Sequence, residues 1–242
     1  MNATVARLTA SSLLGRRRAL LLLVLPAVLL LLAIAFRLLA GRSDTSTVTL
    51  LGGFALGTLV PLIALIAGTG AIGPEIDDGS IVYLLAKPLS RHRIVLTKLL
   101  VAVLVSVVLG SLPVLSAGLV MSGGSNRLAI GYAVGAAVAA VAYCALFLLL
   151  AVLTRNAVIT GLLYVLVWES LVGGLVPGAQ ALSIQQWALS VTTRIVGSGA
   201  ADLGVTSAVR LVVGGVLLVA VTGAATWFAG HRLRSLRLAG DD

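Results

Sequence analysis

Residues 130–153 read IGYAVGAAVAAVAYCALFLLLAVL, without one charged side chain. A helix rises about 1.5 Å per residue, and about 20 apolar residues cross the hydrocarbon core of a bilayer. The stretch mixes Ala, Gly, Val and Leu with no apolar–polar alternation of period two, so it is predicted to be a membrane-crossing helix and not a barrel strand. Five further stretches have this character: Ala19–Leu39, Val48–Ile72, Ile94–Val120, Val158–Leu175 and Ala208–Ala229. The expected fold is therefore an all-α polytopic membrane protein with six transmembrane helices in a single domain over residues 1–242.

The composition excludes a water-soluble alternative. Of the 242 residues, 60% are hydrophobic and 10% charged, whereas a soluble domain carries about 25% charged residues. The net charge of +9 does not point to nucleic acid, because the basic residues stand between apolar runs instead of along a hydrophilic face. It fits membrane topology and attraction to anionic lipid. The single cysteine, Cys144, lies inside an apolar stretch and reads as a small buried residue.

Orientation follows from Lys and Arg. One set of loops holds Arg7, Arg16, Arg17, Arg18, Lys87, Arg91, Arg93, Lys98, Arg155, Arg232, Arg234 and Arg237; the opposite set holds Arg37, Arg42, Arg127, Arg194 and Arg210. The positive-inside rule then places both termini in the cytoplasm, with the protein in the inner (plasma) membrane. The first apolar stretch is longer than the core of roughly 7–15 residues of a signal peptide, so it is expected to remain as the first helix. Residues 1–18, which end in three arginines, form either an interfacial helix on the membrane surface or a disordered tail. Residues 176–207, apolar but broken by Pro177, Gly178, Gly197 and Gly199, are expected to form a re-entrant or interfacial outer segment, with Trp187 at head-group level.

Few motifs carry chemistry. Gly68-Thr-Gly-Ala-Ile-Gly73 matches G-x-G-x-x-G, but it closes an apolar helix and runs into Pro74, where a dinucleotide site would need a preceding strand. With two lysines, each preceded by a residue other than Gly, the chain has no P-loop. It carries no H-E-x-x-H and no Cys/His cluster, so catalysis and a bound metal are not expected. Gly53-x-x-x-Gly57 and Gly131-x-x-x-Gly135 permit close helix approach, within one chain or between subunits. Glu169 is acidic within an apolar stretch, where insertion of a carboxylate costs about 2.5–3.5 kcal/mol. With Trp168 it is a candidate for the transport path, or it pairs with a base such as Arg210; the alternative is a hydrogen-bonded structural residue near the outer interface.

The connection 74–90 is the most informative. Pro74 suits a first helical turn, and Glu75, Asp77 and Asp78 sit where the helix dipole favours negative charge. Ile81, Val82, Leu84 and Leu85 supply an apolar surface, and Lys87-Pro88 stops the helix. The expectation is a short amphipathic helix that docks a cytoplasmic protein; the alternative is a surface helix with no partner.

Glu75, Gly79-Ser80, Leu84-Leu85, Pro88, Ser90-Arg91 and the following Lys98 resemble the cytoplasmic loop of ABC-2-type permeases, with Ser80 where Thr is usual. Trp168-Glu169 resembles a pair found in part of that family. The resemblance implies the permease subunit of an ATP-driven ABC transporter, exporting an apolar or amphipathic substrate. ATP and Mg would be bound by a separate P-loop ATPase, leaving this chain without enzyme activity or cofactor. Residues 74–90 would be the coupling loop, with Glu75, Asp78, Gly79, Tyr83, Leu84, Leu85, Pro88 and Arg91 contacting the ATPase. Arg155 would lie in a second, smaller contact. Partners would be ABC ATPase subunits, a second permease copy or homologous permease, and membrane lipids, with no nucleic acid. The alternative function is an ion-gradient-driven secondary transporter, which would call for several ionisable residues within the membrane.

Overall fold

The computed structural model describes residues 7–9, 15–78, 91–123, 126–172 and 179–235. Among them every regular element is helical. Helix α1 covers Arg16–Ala40. After a turn, α2 (Asp44–Thr49) runs through a π-helical stretch, Leu50–Leu59, into α3 (Val60–Gly70). A short helix α4 (Gly73–Asp77) follows. Then α5 (Arg91–Ser106) continues through a second π-helical stretch, Val107–Ser111, into α6 (Leu112–Met121). The chain goes on through α7 (Asn126–Leu153), α8 (Ala157–Leu163) with π-helical turns Tyr164–Val172, α9 (Ile184–Val196) and α10 (Leu211–Ser235).

Both mid-helix π stretches precede a proline. Pro61 and Pro113 lack an N–H, so the carbonyls of Gly57 and Leu109 lose their usual donors and the pyrrolidine rings crowd them. The ladder slips by one residue instead of breaking: Val60 N–H donates to Ala55 and Leu112 N–H to Val107, each five residues back. Each long helix thereby continues past the proline.

Among the described residues, five helices are long and apolar enough to cross a membrane: Ala19–Ala40, Asp44–Ile76, His92–Met121, Asn126–Leu153 and Leu211–Leu233. Of the expected stretch Val158–Leu175, the described residues form an apolar helix, Ala157–Glu169, with helical turns continuing to Val172; residues 173–175 lie outside the described residues. Two boundaries differ from expectation for local reasons. The second long helix begins at Asp44, ahead of Val48, because Ser43 caps it: its side chain accepts from Ser46 N at 3.4 Å, and Asp44 occupies the first turn. The last helix begins at Leu211, behind Ala208: the Gly214 N–H donates to the Arg210 carbonyl at 2.9 Å, while the Ala208 N–H goes to Gln186 Oε1 at 3.0 Å.

The core is built around α7, which packs against α3, α6, α9 and α10. Small residues let the helices close up. A Cβ on Gly68 would stand 3.0 Å from the Cys144 carbonyl oxygen and 3.0 Å from Phe147 Cβ, so the glycine-rich end of α3 serves helix packing. Gly131 and Gly135 face Thr192, Ala188 and Val196 of α9, so this spacing is used within the chain; of the other pair, Gly57 faces Gln185 while Gly53 has open space around it. Apolar side chains of α1 and α10 such as Leu38, Leu39, Val212 and Val219 face outward, as expected of surfaces that meet lipid tails. Two long-range bonds fix one end of the bundle: Arg37 Nη1 donates to Val120 O at 2.6 Å, and Gly123 N–H to Asp44 Oδ1 at 2.9 Å.

Candidate functional site

Two polar clusters lie at opposite ends of the helices. The first joins the start of the 74–90 connection to two long helices. Pro74 stands in the first turn of α4, where its missing N–H would have no helical partner, and Glu75 follows. Lys98, in α5, reaches back across this turn. Its Nζ donates to Glu75 Oε1 at 2.6 Å and to the Ala71 carbonyl oxygen at 2.7 Å. The lysine is 1% exposed, and Glu75 23%. Ala71 closes α3, so its carbonyl is one of the acceptors left over where a helix ends, and an ammonium there also meets the negative end of the dipole. One buried cation thus ties together the end of α3, the first turn of α4 and the second turn of α5.

Beside this junction is a cleft of about 380 Å³. Leu21 of α1, Ile66 and Thr69 of α3, Pro74, Arg155 and Asn156 line it. The turn between α7 and α8 therefore comes to the same cleft as the start of the 74–90 connection. Arg155 is exposed there, and Asp78, at the end of α4, is exposed as well. Arg91 opens α5. Gly79, Tyr83, Leu84, Leu85 and Pro88 lie outside the described residues, as do most of residues 1–18.

At the opposite end, Glu169 is 4% exposed. Its Oε1 accepts from the Ile184 N–H at 3.1 Å and from the Tyr164 hydroxyl at 3.3 Å, and its Oε2 accepts from the Ser183 hydroxyl. Ser183 is the N-cap of α9, and its Oγ accepts from Gln186 N at 3.4 Å. Trp168 Nε1 donates to Leu182 O at 3.5 Å. The partners of Glu169 are thus hydroxyls and a helix N-terminus, and Arg210 is not among them. Arg210 instead lines a separate outer cleft with Arg194 and Ser190. Of residues 176–207, expected to be re-entrant or interfacial, the described part from 179 contains α9, which is buried along Trp187, Ala188, Leu189 and Thr192.

Two features escaped the sequence reading. Lys98 counts among the loop bases and closes the family-like pattern, yet it lies within an apolar helix, where an ionisable side chain by itself signals a partner. The Ser183 cap was visible only as a serine ahead of a run with helical periodicity.

The helices of membrane-crossing length and their apolar surfaces define a multi-pass helical membrane protein. Its sequence matches the family described as ABC-2 family transporter protein over residues 6–193, which includes both polar clusters. The chain belongs to this family and is a membrane transport component. No curated protein matches it.

Proposed function

We propose that the chain is the permease subunit of an ATP-driven ABC transporter that exports an apolar or amphipathic substrate. ATP and Mg are bound by separate P-loop ATPase subunits. The chain spans the inner membrane six times, with Ala157–Val172 contributing to the fifth crossing and both termini in the cytoplasm. It works as a pair, with a second copy or a homologous permease.

The observation that carries this reading is the Lys98–Glu75–Ala71 junction. A loop that receives force from a docked ATPase needs a stiff connection to the membrane helices, and the junction supplies one at the first turn of residues 74–90. Arg155 at the same cleft supports a second contact close by. In the sequence of 79–90, Tyr83, Leu84 and Leu85 supply the apolar anchors that an ATPase cleft would bury, and the acidic start of the loop suits a basic partner surface better than anionic lipid.

The test is to purify the tagged chain from its native membrane and to compare the P-loop ATPase recovered with wild type, with Tyr83→Ala and with Leu84→Ala. Truncating an interface anchor removes about 2 kcal/mol or more, roughly thirtyfold in affinity. The variants should lose the ATPase on purification while inserting normally. Unchanged ATPase binding by both would refute docking through this loop.

A further inference from the structure

We infer that the outer cleft between α9 and α10 holds the head group of a phospholipid of net negative charge, with its phosphate between the guanidiniums of Arg194 and Arg210. The binding stands apart from the permease reading; only the leaflet that supplies the lipid rests on it.

The inference starts from two arginines that the fold brings together. Arg194 stands in the last turn of α9, and Arg210 immediately ahead of α10. Both are exposed, and both line one cleft of about 370 Å³. Among the described residues neither guanidinium makes a hydrogen bond or an ion pair, whereas Arg37 at the same end is bonded to the Val120 carbonyl. No acid lines the cleft, and Asp202, in the turn between the two helices, is not among its walls. Topology does not account for the pair, since cations at the outer end oppose the positive-inside rule. Two like charges in one cleft repel each other, and an anion between them replaces that repulsion by attraction.

The chain itself holds the cleft in shape. Gln186 Oε1 takes the Ala208 N–H at 3.0 Å and so ties the approach to α10 onto α9. Gly214 lies against Ser190, which lets the two helices close on each other. The hydroxyls of the cleft are already spent on backbone carbonyls: Ser190 on Trp187 at 2.6 Å, Thr193 on Ser190 at 2.9 Å and Ser207 on Val209 at 2.9 Å. The side-chain donors left are the guanidiniums, so the cleft selects for charge and not for a neutral polar group. Planar guanidiniums meet phosphate oxygens in pairs of parallel bonds.

An apolar strip leads from the cleft along α10. Leu211 lines the cleft, and Gly215 and Val219 follow at intervals of four residues, on one face of the helix. Val212 and Val216 flank them, 76% and 62% exposed, and a Cβ on Gly215 would meet nothing within 4 Å. From Leu211 to Val219 the helix rises about 12 Å, most of the roughly 15 Å that one leaflet contributes to the hydrocarbon core. An acyl chain fits along this strip while its phosphate stays at the arginines; a soluble anion would leave the strip unused. A choline or ethanolamine head would bring a positive charge back to the arginines, so the lipid is one without a head-group amine.

Native mass spectrometry of the delipidated chain in detergent tests this. The chain is titrated with phosphatidylglycerol, with phosphatidylcholine of the same acyl chains, and with phosphatidylglycerol beside equimolar inorganic phosphate. Wild type should retain one phosphatidylglycerol in preference to phosphatidylcholine, and inorganic phosphate should not displace it. Arg194→Gln and Arg210→Gln should each weaken this binding about tenfold. Arg42→Gln, which removes an exposed charge elsewhere at the outer end, should leave it unchanged. Gly215→Leu, which fills the strip and spares the arginines, should weaken it severalfold. The arginine side chains are exposed and unbonded, so their variants should keep the wild-type unfolding midpoint in lipid-free detergent. Equal phosphatidylglycerol binding by the variant carrying both Arg194→Gln and Arg210→Gln, or equal retention of phosphatidylcholine by wild type, would overturn the site. Displacement by inorganic phosphate, or unchanged binding in Gly215→Leu, would overturn the lipid as its occupant. No ATPase takes part, so a failure here leaves the permease reading standing, and a failure of that reading leaves these outcomes decisive.

Discussion

Lys98 Nζ lies 2.6 Å from Glu75 Oε1, and this bond joins residues that the sequence places on either side of the 79–90 connection. The same ammonium holds the Ala71 carbonyl. Removing one partner of a buried ion pair costs about 3–5 kcal/mol, because the other charge remains in place. Glu75 is 23% exposed, so the loss here should lie toward the lower figure. Lys98→Met and Glu75→Gln are each expected to lower the thermal unfolding midpoint in detergent, and the two combined should cost less than their sum. A double variant as unstable as the sum of the two singles would show that the pair does not act as a unit.

Helix approach at Gly68 gives an independent expectation. A Cβ there would meet the Cys144 carbonyl oxygen and Phe147 Cβ at 3.0 Å, and the backbone of α7 cannot move aside cheaply. Gly68→Val should destabilise the protein by about 1–3 kcal/mol or more, whereas Gly53→Val, at a position with open space, should be nearly neutral. Unfolding midpoints of the two variants provide the comparison.

Much of this architecture was legible because crossing a bilayer demands long uncharged runs, and Ala19–Leu39 or Ile130–Leu153 can hardly be read otherwise. Helix starts were less legible. Asp44 and Asn126 begin helices with polar residues, and a hydropathy reading discards polar residues at the ends of an apolar run. The polar clusters were legible only one partner at a time. Glu169 and Glu75 stood out as acids, but their partners lie far away in sequence or are backbone groups: Ser183 and the Ile184 N–H for one, Lys98 and the Ala71 carbonyl for the other. Pairing across the bundle depends on helix packing, which the near-uniform Leu/Val/Ala composition does not encode in a pattern that can be read by eye.

Topology can be read with introduced cysteines. Cys144 is fully buried, so it should contribute little background. A membrane-impermeant maleimide added to intact cells should label Asp44→Cys, at the end fixed by the Gly123 bond, and should leave Arg155→Cys unlabelled until the membrane is opened. Labelling of Arg155→Cys in intact cells would invert the orientation derived from the basic residues.

An ATPase docked on residues 74–90 would be seen in the intact mass of the complex purified from its native membrane. The expected assembly holds two permease chains and two P-loop ATPase subunits, hydrolyses ATP, and loses the ATPase subunits when Leu84 is changed to Ala. A permease recovered from gentle extraction without any ATPase, and driving transport in vesicles on an ion gradient alone, would contradict it.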